Sequence, residues 1–400
     1  MRVLRVRDPF HRGQLAIAAL FCSLGFQYAT WAARIPAIKT DLGLSAAEVG
    51  VLLMAAGIGA AVSFPVVAVL MRRLGSQRLA LLSALCLALL LPALAAAPNY
   101  PVALLVMCVD GVLVGCLNVA MNAQGAELES RYERNAMARL HATFSGGSLL
   151  AALLASGMNA VTSAVAAHFV VAALLLLLLV AYARTGLLPE AADEKTEEKT
   201  EEREKTAEAG QAAKKKSWTV PSRVTLWMCV AMAFGTVTEG AMNDWSALYL
   251  KDVADASAEL APLGIAVVSG MMVVARLFAD GWRSRWGDGR IVLSGSVLAG
   301  AGLALALLSG GLVPALLGFA CVGLGIAAVT PCVYVAAAGQ GSDSLTLVAA
   351  MGTTGLLAGP PLIGFIAHAS SLVWGLAAVA ASALVVSACS TRIRWPATSG

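Results

Sequence analysis

The sequence predicts an all-α polytopic membrane protein with twelve transmembrane helices in two pseudo-symmetric six-helix bundles. Three observations support this fold class: the composition, the number of apolar segments and an internal repetition. Of the 400 residues, 59% are hydrophobic and 13% are charged, whereas a soluble domain has about 45–50% apolar and about 25% charged residues. Lipid must therefore solvate much of the protein surface.

The apolar segments number twelve, and each is close to the length of about 20 residues that a helix needs to cross a bilayer. Numbered in chain order, the first six predicted spans cover residues 13–37, 47–71, 79–97, 101–126, 138–161 and 164–184. The last six cover residues 223–250, 258–282, 290–309, 312–338, 345–367 and 370–390.

A stretch of different chemistry separates the two sets of spans. Residues 185–222 are rich in Glu and Lys and have no apolar periodicity, which predicts a solvated linker. The chain therefore divides into an N-terminal six-helix bundle (1–184), a charged cytoplasmic linker (185–222) and a C-terminal six-helix bundle (223–400).

The distribution of basic residues predicts the orientation. The short loops on one side carry fifteen arginines, whereas those on the other side carry only Arg34, Lys39 and Lys251. Because cytoplasmic loops are enriched in Lys and Arg, both termini and the linker are expected in the cytoplasm. We expect a multi-pass protein of the bacterial cytoplasmic (inner) membrane.

Other classes of function lack their sequence signals. No basic face is large enough for nucleic acid, and the eight cysteines include no CxxC pair, which disfavours a zinc site or a disulfide framework. No HExxH, GxSxG or P-loop motif is present, so neither an enzyme nor an ATP-driven pump is indicated. No cofactor or metal is expected.

The two halves of the sequence have glycine and proline at corresponding positions. Gly75 follows span 2, and Gly287 follows span 8. Pro101 opens span 4, and Pro314 opens span 10. The offset along the chain is nearly the same for the glycines as for the prolines. This common offset indicates an internal duplication, as many transporters have.

Five phrases in this order resemble the major facilitator superfamily, and within it the MosC-like branch near the fucose-permease-type sugar symporters. They are ATWAARIPAIKTDLGLS (29–45), NVAMNAQGAELE (118–129), RLHATFSGG (139–147), EGAMNDWSALYLKD (239–252) and GPPLIG (359–364). The resemblance implies two bundles that rock around a central site. The sequence departs from the branch at Asn118, where members often have an acid.

Acidic residues inside the spans are the candidates for proton coupling, because ionisable groups in lipid are costly and mark pathways. Glu239 leads, with Asn243 one helical turn further along span 7. Asp110 lies in span 4 and is a second proton site, a partner for Arg34 or part of a helix seam. Asp244 is a further candidate, or else it pairs with Arg34 or Lys251.

Amide and aromatic side chains are the candidates for solute binding. Amides offer donors and an acceptor to a hydroxylated solute, and an aromatic ring stacks on a sugar; Trp31 is alternatively an anchor at the membrane interface. The candidates are Asn118, Asn122, Gln27, Tyr28, Trp31 and Asn243.

Candidates for gating lie nearer the ends of the spans. Arg276 and Asp280 are four residues apart and are expected to pair within span 8, and two adjacent prolines are expected to kink span 11. The full set is Arg34, His141, Arg276, Asp280, Pro360 and Pro361.

These features predict a secondary active transporter, coupled to protons, that moves a small polar solute such as a sugar or polyol by alternating access. The alternative is a proton-antiport exporter of drugs or metabolites. The expected partners are the solute, protons and the lipid bilayer, and one chain is expected to work as a monomer.

Overall fold

The structure, a computed structural model, describes residues 8–134, 136–189 and 221–395, here called the first half (8–189) and the second half (221–395). Within these ranges the regular structure is entirely helical. The first half contains α1 (Pro9–Ala32), α2 (Ile35–Asp41), α3 (Ala46–Ala95), α4 (Tyr100–Tyr132), α5 (Met137–Val161) and α6 (Val165–Ala183). The second half contains α7 (Arg223–Asp252), α8 (Leu263–Trp286), α9 (Asp288–Ser309), α10 (Leu312–Ile326), α11 (Val329–Ala338), α12 (Ser342–Ala369) and α13 (Leu372–Ser390).

The helices of the described residues make up the twelve expected spans. Ten segments are long and apolar enough to cross a membrane. One of them, α3, has 50 residues; a straight helix of that many residues would be about 75 Å long, more than twice the thickness of a bilayer core. Gly75, at φ 73°, divides it into spans 2 and 3. The remaining span is α8, whose apolar part covers Leu263–Ala279.

Two prolines explain where the helices differ from the predicted spans. A helical proline clashes with the carbonyl four residues earlier and lacks its own N–H. Pro36 therefore ends α1 at Ala32, so the prediction that span 1 continues to residue 37 was wrong, and the short helix α2 follows. Pro331 likewise separates α10 from α11 at residues 327–328, within span 10.

The repetition seen in the sequence is also present in the backbone. Gly75, between spans 2 and 3, has φ 73° and ψ 167°, and Gly287, between α8 and α9, has φ 79° and ψ 152°. A positive φ strains any residue with a Cβ. The two glycines at equivalent positions of the repeat thus make the same tight connection in each half.

The two halves share a core on only one side of the molecule. We call the side of the arginine-rich loops (72–78, 131–139, 283–290 and 392–394) the basic side, and that of loops 33–45 and 253–262 the opposite side. Among the described residues, one apolar cluster joins the second half to the opposite-side part of the first half. The basic-side core of the first half forms a separate cluster.

The contacts between the halves agree with this division. Helix α2 contacts α7, α3 contacts α12, and α5 contacts α8. The molecule is therefore closed on the opposite side, and its halves separate towards the basic side.

The first residues after α6 are packed against the first half. Leu187 and Leu188 are buried. The amide side chain of Gln124 accepts from the backbone N–H of Leu188 at 2.9 Å and donates to its carbonyl at 3.1 Å. The predicted solvated linker thus begins later than residue 185, and most of it, residues 190–220, lies outside the described residues.

Candidate functional site

A hydrogen bond between the two halves lies at the centre of the candidate site. The Tyr28 hydroxyl in α1 donates to the Asp244 carboxylate in α7. Asp244 is 3% exposed, and no basic partner is found for it among the described residues. The expected pairing of Asp244 with Arg34 or Lys251 was wrong, because Asp244 faces α1 rather than the loops.

A second buried carboxylate lies within the first half. Asp110 in α4 is 4% exposed, and its Oδ1 accepts from the Gln27 amide in α1 at 2.6 Å. The expected partnership of Asp110 with Arg34 was wrong. Gln27 and Tyr28 are consecutive, so α1 holds one acidic residue of each half.

An ion pair of the second half lies nearer the basic side, and its arginine also reaches the first half. Arg276 in α8 donates to Glu239 in α7 at 3.3 Å and to the Ser145 hydroxyl in α5. Both side chains of the ion pair are about one-quarter exposed. The expected pair with Asp280 requires Arg276 to point along α8, but its side chain points to α5 and α7. The side chain of Asp280 itself lies outside the described residues. Of the three membrane acids, Glu239 alone pairs with an arginine in the described structure.

The amide candidates are already partly bonded. Asn243 donates to the backbone carbonyl of Glu239 at 3.0 Å, one turn back along α7. Asn122 donates to the Asn118 carbonyl at 2.7 Å and to its side-chain oxygen at 3.1 Å. The shared face of Asn118 and Asn122 therefore holds an amide pair rather than two independent groups.

Two polar side chains of the first half are exposed on the same part of the molecule. Asn118 and His141 are exposed, although both lie within long apolar helices. Polar groups in such helices face a water-filled space rather than lipid. His141 packs its ring edge-on against Phe21, with centroids 4.9 Å apart. These groups lie on the basic-side part of α4 and α5, where the halves separate.

Trp31 and Tyr28 form an aromatic pair on α1. Their ring centroids are 4.8 Å apart in an edge-to-face arrangement. Trp31 is 3% exposed, so the alternative of an interfacial anchor was wrong. Tyr28 is only partly buried and faces the site.

Arg34 and His168 form a buried hydrogen-bonded pair that the sequence interpretation missed. The sequence makes Arg34 a gating candidate and carries no signal for His168. The Arg34 guanidinium donates to His168 Nδ1 at 3.0 Å and to the Ser163 carbonyl at 3.4 Å, and both side chains are almost fully buried. Arg34, which lies between α1 and α2, is thereby tied to the first turn of α6 and to the loop before that helix. Because the partners lie far apart in the sequence, periodicity carries no signal for the pair.

Loop contacts close the opposite side. Lys39 in α2 pairs with Asp252 at the end of α7 at 2.5 Å. Ser156 and Asn159 of α5 donate to the carbonyls of Glu259 and Ala258 at 2.5 Å and 2.6 Å. These three contacts, which join the first half to the second, are called the opposite-side contacts below.

The two prolines of span 11 lie at the same closure. Both are buried inside α12. A Cβ on Gly50 of α3 would lie 3.1 Å from the Pro360 carbonyl and 3.1 Å from the Pro361 Cα. The prolines therefore contribute to the tight seam between α3 and α12.

Comparisons with known proteins place this geometry in a family. The sequence profile described as Major Facilitator Superfamily matches residues 15–343. The chain is 29% identical over 384 residues to an uncharacterized MFS-type transporter of Yersinia pestis, covering 94% of each chain. It is 30% identical over 380 residues to the membrane protein MosC of Rhizobium meliloti, covering 94% of this chain and 88% of MosC.

Solved structures share the fold at low sequence identity. A D-xylose–proton symporter aligns with a TM-score of 0.74 at 14% identity, over 98% of this chain and 99% of that one. A mutant of the nucleoside transporter NupG aligns with a TM-score of 0.71 at 15% identity, over 96% of this chain and 99% of that one. The family match across most of the sequence and the shared fold show that this chain belongs to the major facilitator superfamily of membrane transporters.

Proposed function

We propose that the protein is a proton-coupled secondary transporter of a small polar solute, with Asp244 as the proton-carrying group. The observation that carries this proposal is the bond between Tyr28 and Asp244. It combines a buried carboxylate that lacks a cation in the described structure with a partner in the opposite half. Any motion that parts the halves at this point must change the surroundings of that carboxylate.

The chemistry of Asp244 suits proton transfer. An ionised carboxylate inside a membrane protein is costly unless it is paired or hydrated. While Tyr28 donates to Asp244, the ionised form has a hydrogen bond. Once the halves part, Asp244 loses that donor and gains a proton from water. Protonation and rocking are thereby linked through one bond.

The ion pair of Arg276 and Glu239 is the proposed solute site. Both groups are about one-quarter exposed and lie between the buried carboxylates and the opening on the basic side. Arg276 presents several donors and Glu239 is an acceptor, so together they suit hydroxyl groups of a solute. We therefore rank the sequence-based candidates differently in this proposal: Glu239 binds the solute and Asp244 carries the proton.

Hydroxylated solutes are the proposed substrate class, namely sugars, polyols and nucleosides. The names of two fold neighbours, a xylose–proton symporter and a nucleoside transporter, are consistent with this class. Tyr28 supplies a partly exposed ring between the two halves, and such rings stack on sugars and bases.

The proposed setting follows from the arginine distribution. We take the basic side as cytoplasmic, the membrane as the bacterial inner membrane, and the halves as two bundles joined by the charged linker. One chain encloses the whole site, so a monomer suffices for transport.

The experiment is solute uptake and exchange in proteoliposomes that contain the purified protein. A panel of sugars, polyols and nucleosides is presented with and without an inward proton gradient. The expected result is accumulation of one solute that depends on the gradient. In Asp244→Asn, accumulation is lost, whereas exchange of labelled for unlabelled solute continues, because exchange requires no proton transfer.

Glu239→Gln is the comparison variant. It should lose both accumulation and exchange, because the solute site itself is altered. Loss of both activities in Asp244→Asn would contradict the assignment of the proton to Asp244. The antiport exporter would be favoured instead if no solute of the panel were transported and only amphipathic cations drove a counterflow of protons.

A further inference from the structure

A groove on the outer wall of the first half is separate from the transport site. It lies between span 3, in α3, and the helix α6, and has a volume of about 510 Å³. Its walls are mostly apolar and include Leu82, Leu85, Leu177 and Ala181. On each helix the lining residues follow the i, i+3, i+4, i+7 spacing of one helical face.

Two arginines stand at the same end of this groove. Arg78 is near the start of span 3, and Arg184 is the residue that follows α6. Because the two helices run in opposite directions, both arginines lie on the basic side. Both are exposed, and neither side chain makes a hydrogen bond or an ion pair within the described ranges. Two cations thus cap an apolar groove.

The apolar surface continues towards the middle of the membrane. Leu89, one turn beyond Leu85, is 56% exposed, and Leu174, one turn before Leu177, is 57% exposed. From residue 78 to residue 89 a helix rises about 16 Å, close to half of the bilayer core of about 30 Å. The length therefore matches one acyl chain in a single leaflet.

We propose that this groove binds an anionic phospholipid of the basic-side leaflet, with its phosphate between Arg78 and Arg184 and one acyl chain along the groove. Guanidinium groups form paired, charge-assisted hydrogen bonds to phosphate. A pair of arginines at the headgroup level of an apolar groove selects a lipid with net negative charge. The transport site, on the inner faces of the helices, is not involved.

The test is native mass spectrometry of the full chain, released from detergent, with phosphatidylglycerol or phosphatidylcholine of the same acyl chains. The wild-type protein should retain at least one phosphatidylglycerol in preference to phosphatidylcholine. Arg78→Ala with Arg184→Ala should weaken phosphatidylglycerol binding roughly 30-fold, since each arginine near the surface contributes about a fivefold share.

The second half offers a matched control. Arg290 and Arg392 are exposed at the basic-side ends of α9 and α13, where Trp395 packs against Gly289. Arg290→Ala with Arg392→Ala removes the same charge and should leave the retained phosphatidylglycerol bound.

Arg78→Lys with Arg184→Lys should keep most of the binding, which would also show that substitution at these positions leaves the protein folded.

Three results would overturn the proposal. One is equal retention of phosphatidylcholine and phosphatidylglycerol. Another is equal weakening in both alanine pairs, which would indicate only a general effect of surface charge. The third is displacement of the lipid by millimolar glycerol phosphate, which has no acyl chain; that would identify a soluble phosphate as the ligand.

Discussion

The Tyr28 hydroxyl is the donor of the hydrogen bond to Asp244, and no other atom of the Tyr28 side chain can take its place. Tyr28→Phe keeps the ring that packs on Trp31 but leaves Asp244 without its donor. A hydrogen bond to a charged group contributes about 1.5–3 kcal/mol, so the closed arrangement should lose at least about tenfold in population. Hydrogen exchange of residues 35–45 and 253–262 should become faster. Unchanged exchange there would show that the bond does not hold the halves together.

His168 gives a second prediction at the residue scale, on stability. His168→Ala leaves the buried Arg34 without the acceptor of its Nε. A buried group left unsatisfied costs about 1–3 kcal/mol, so thermal unfolding in detergent should begin several degrees lower. His368, which is exposed, is the matched control, and His368→Ala should change stability by no more than about 0.5 kcal/mol. Equal losses in the two variants would contradict the role given to Arg34 and His168.

The membrane acids were predictable from the sequence, whereas their hydrogen-bond partners were not. Asp110, Asp244 and Glu239 are distinctive in the sequence because charges are rare inside apolar spans; in the structure the first two are buried and Glu239 is about one-quarter exposed. Their partners did not stand out, since 216 residues separate Tyr28 from Asp244. Pairing across the molecule depends on how the helices pack, and helical periodicity carries no information about it.

Close helix packing supplies the prediction at the scale of elements. A Cβ on Gly111 of α4 would lie 1.8 Å from the Ala56 carbonyl of α3, whereas one on Gly157 of α5 meets nothing within 4 Å. Gly111→Ala must push α4 away from α3 and should destabilise the protein by at least about 1–3 kcal/mol. Gly157→Ala should be neutral or stabilise by up to about 1 kcal/mol. Unfolding temperature and monodisperse yield compare the two, and similar values would refute this view of the packing.

Helix positions were predictable because hydropathy and length decide them, and helix breaks were predictable only in part. The predicted ends of the twelve spans lie within six residues of the helix ends. Hydropathy extends span 1 past Ala32 because residues 33–37 are mostly apolar, whereas Pro36 ends the helix by steric conflict. The merging of spans 2 and 3 into α3 depends on the backbone of Gly75, which hydropathy does not register.

At the scale of the whole molecule, the opposite-side contacts should determine which side is open. Lys39→Ala together with Asn159→Ala removes the ion pair to Asp252 and the bond to the Ala258 carbonyl. An exposed ion pair contributes about 0–1 kcal/mol and a neutral hydrogen bond about 0.5–1.5 kcal/mol, so the shift towards opening on that side should be modest, roughly threefold to tenfold. Distances between spin labels on α2 and α7 measure it. In a protein that retains Asn159, exchanging the charges with Lys39→Asp and Asp252→Lys should keep the wild-type closed distance, and a longer distance would count against the ion pair.

The duplicated architecture was predictable from offsets in the sequence, whereas the conformation was not. The equivalent positions of Gly75 and Gly287 indicated two related halves, and both glycines adopt a similar positive φ in the backbone. The core is continuous between the halves on the opposite side and divided on the basic side. This difference depends on contacts between the halves, and the hydropathy pattern of each half carries no information about them.

The most direct test of the proton-carrying role of Asp244 is the charge movement evoked by the transported solute in proteoliposomes, compared between the wild-type protein and Asp244→Asn. In the wild type we expect an inward positive current that grows with the proton gradient. In Asp244→Asn the current should be absent, although the solute still binds and exchanges. An undiminished, pH-dependent current in Asp244→Asn would contradict the claim that the carboxylate held by Tyr28 carries the proton.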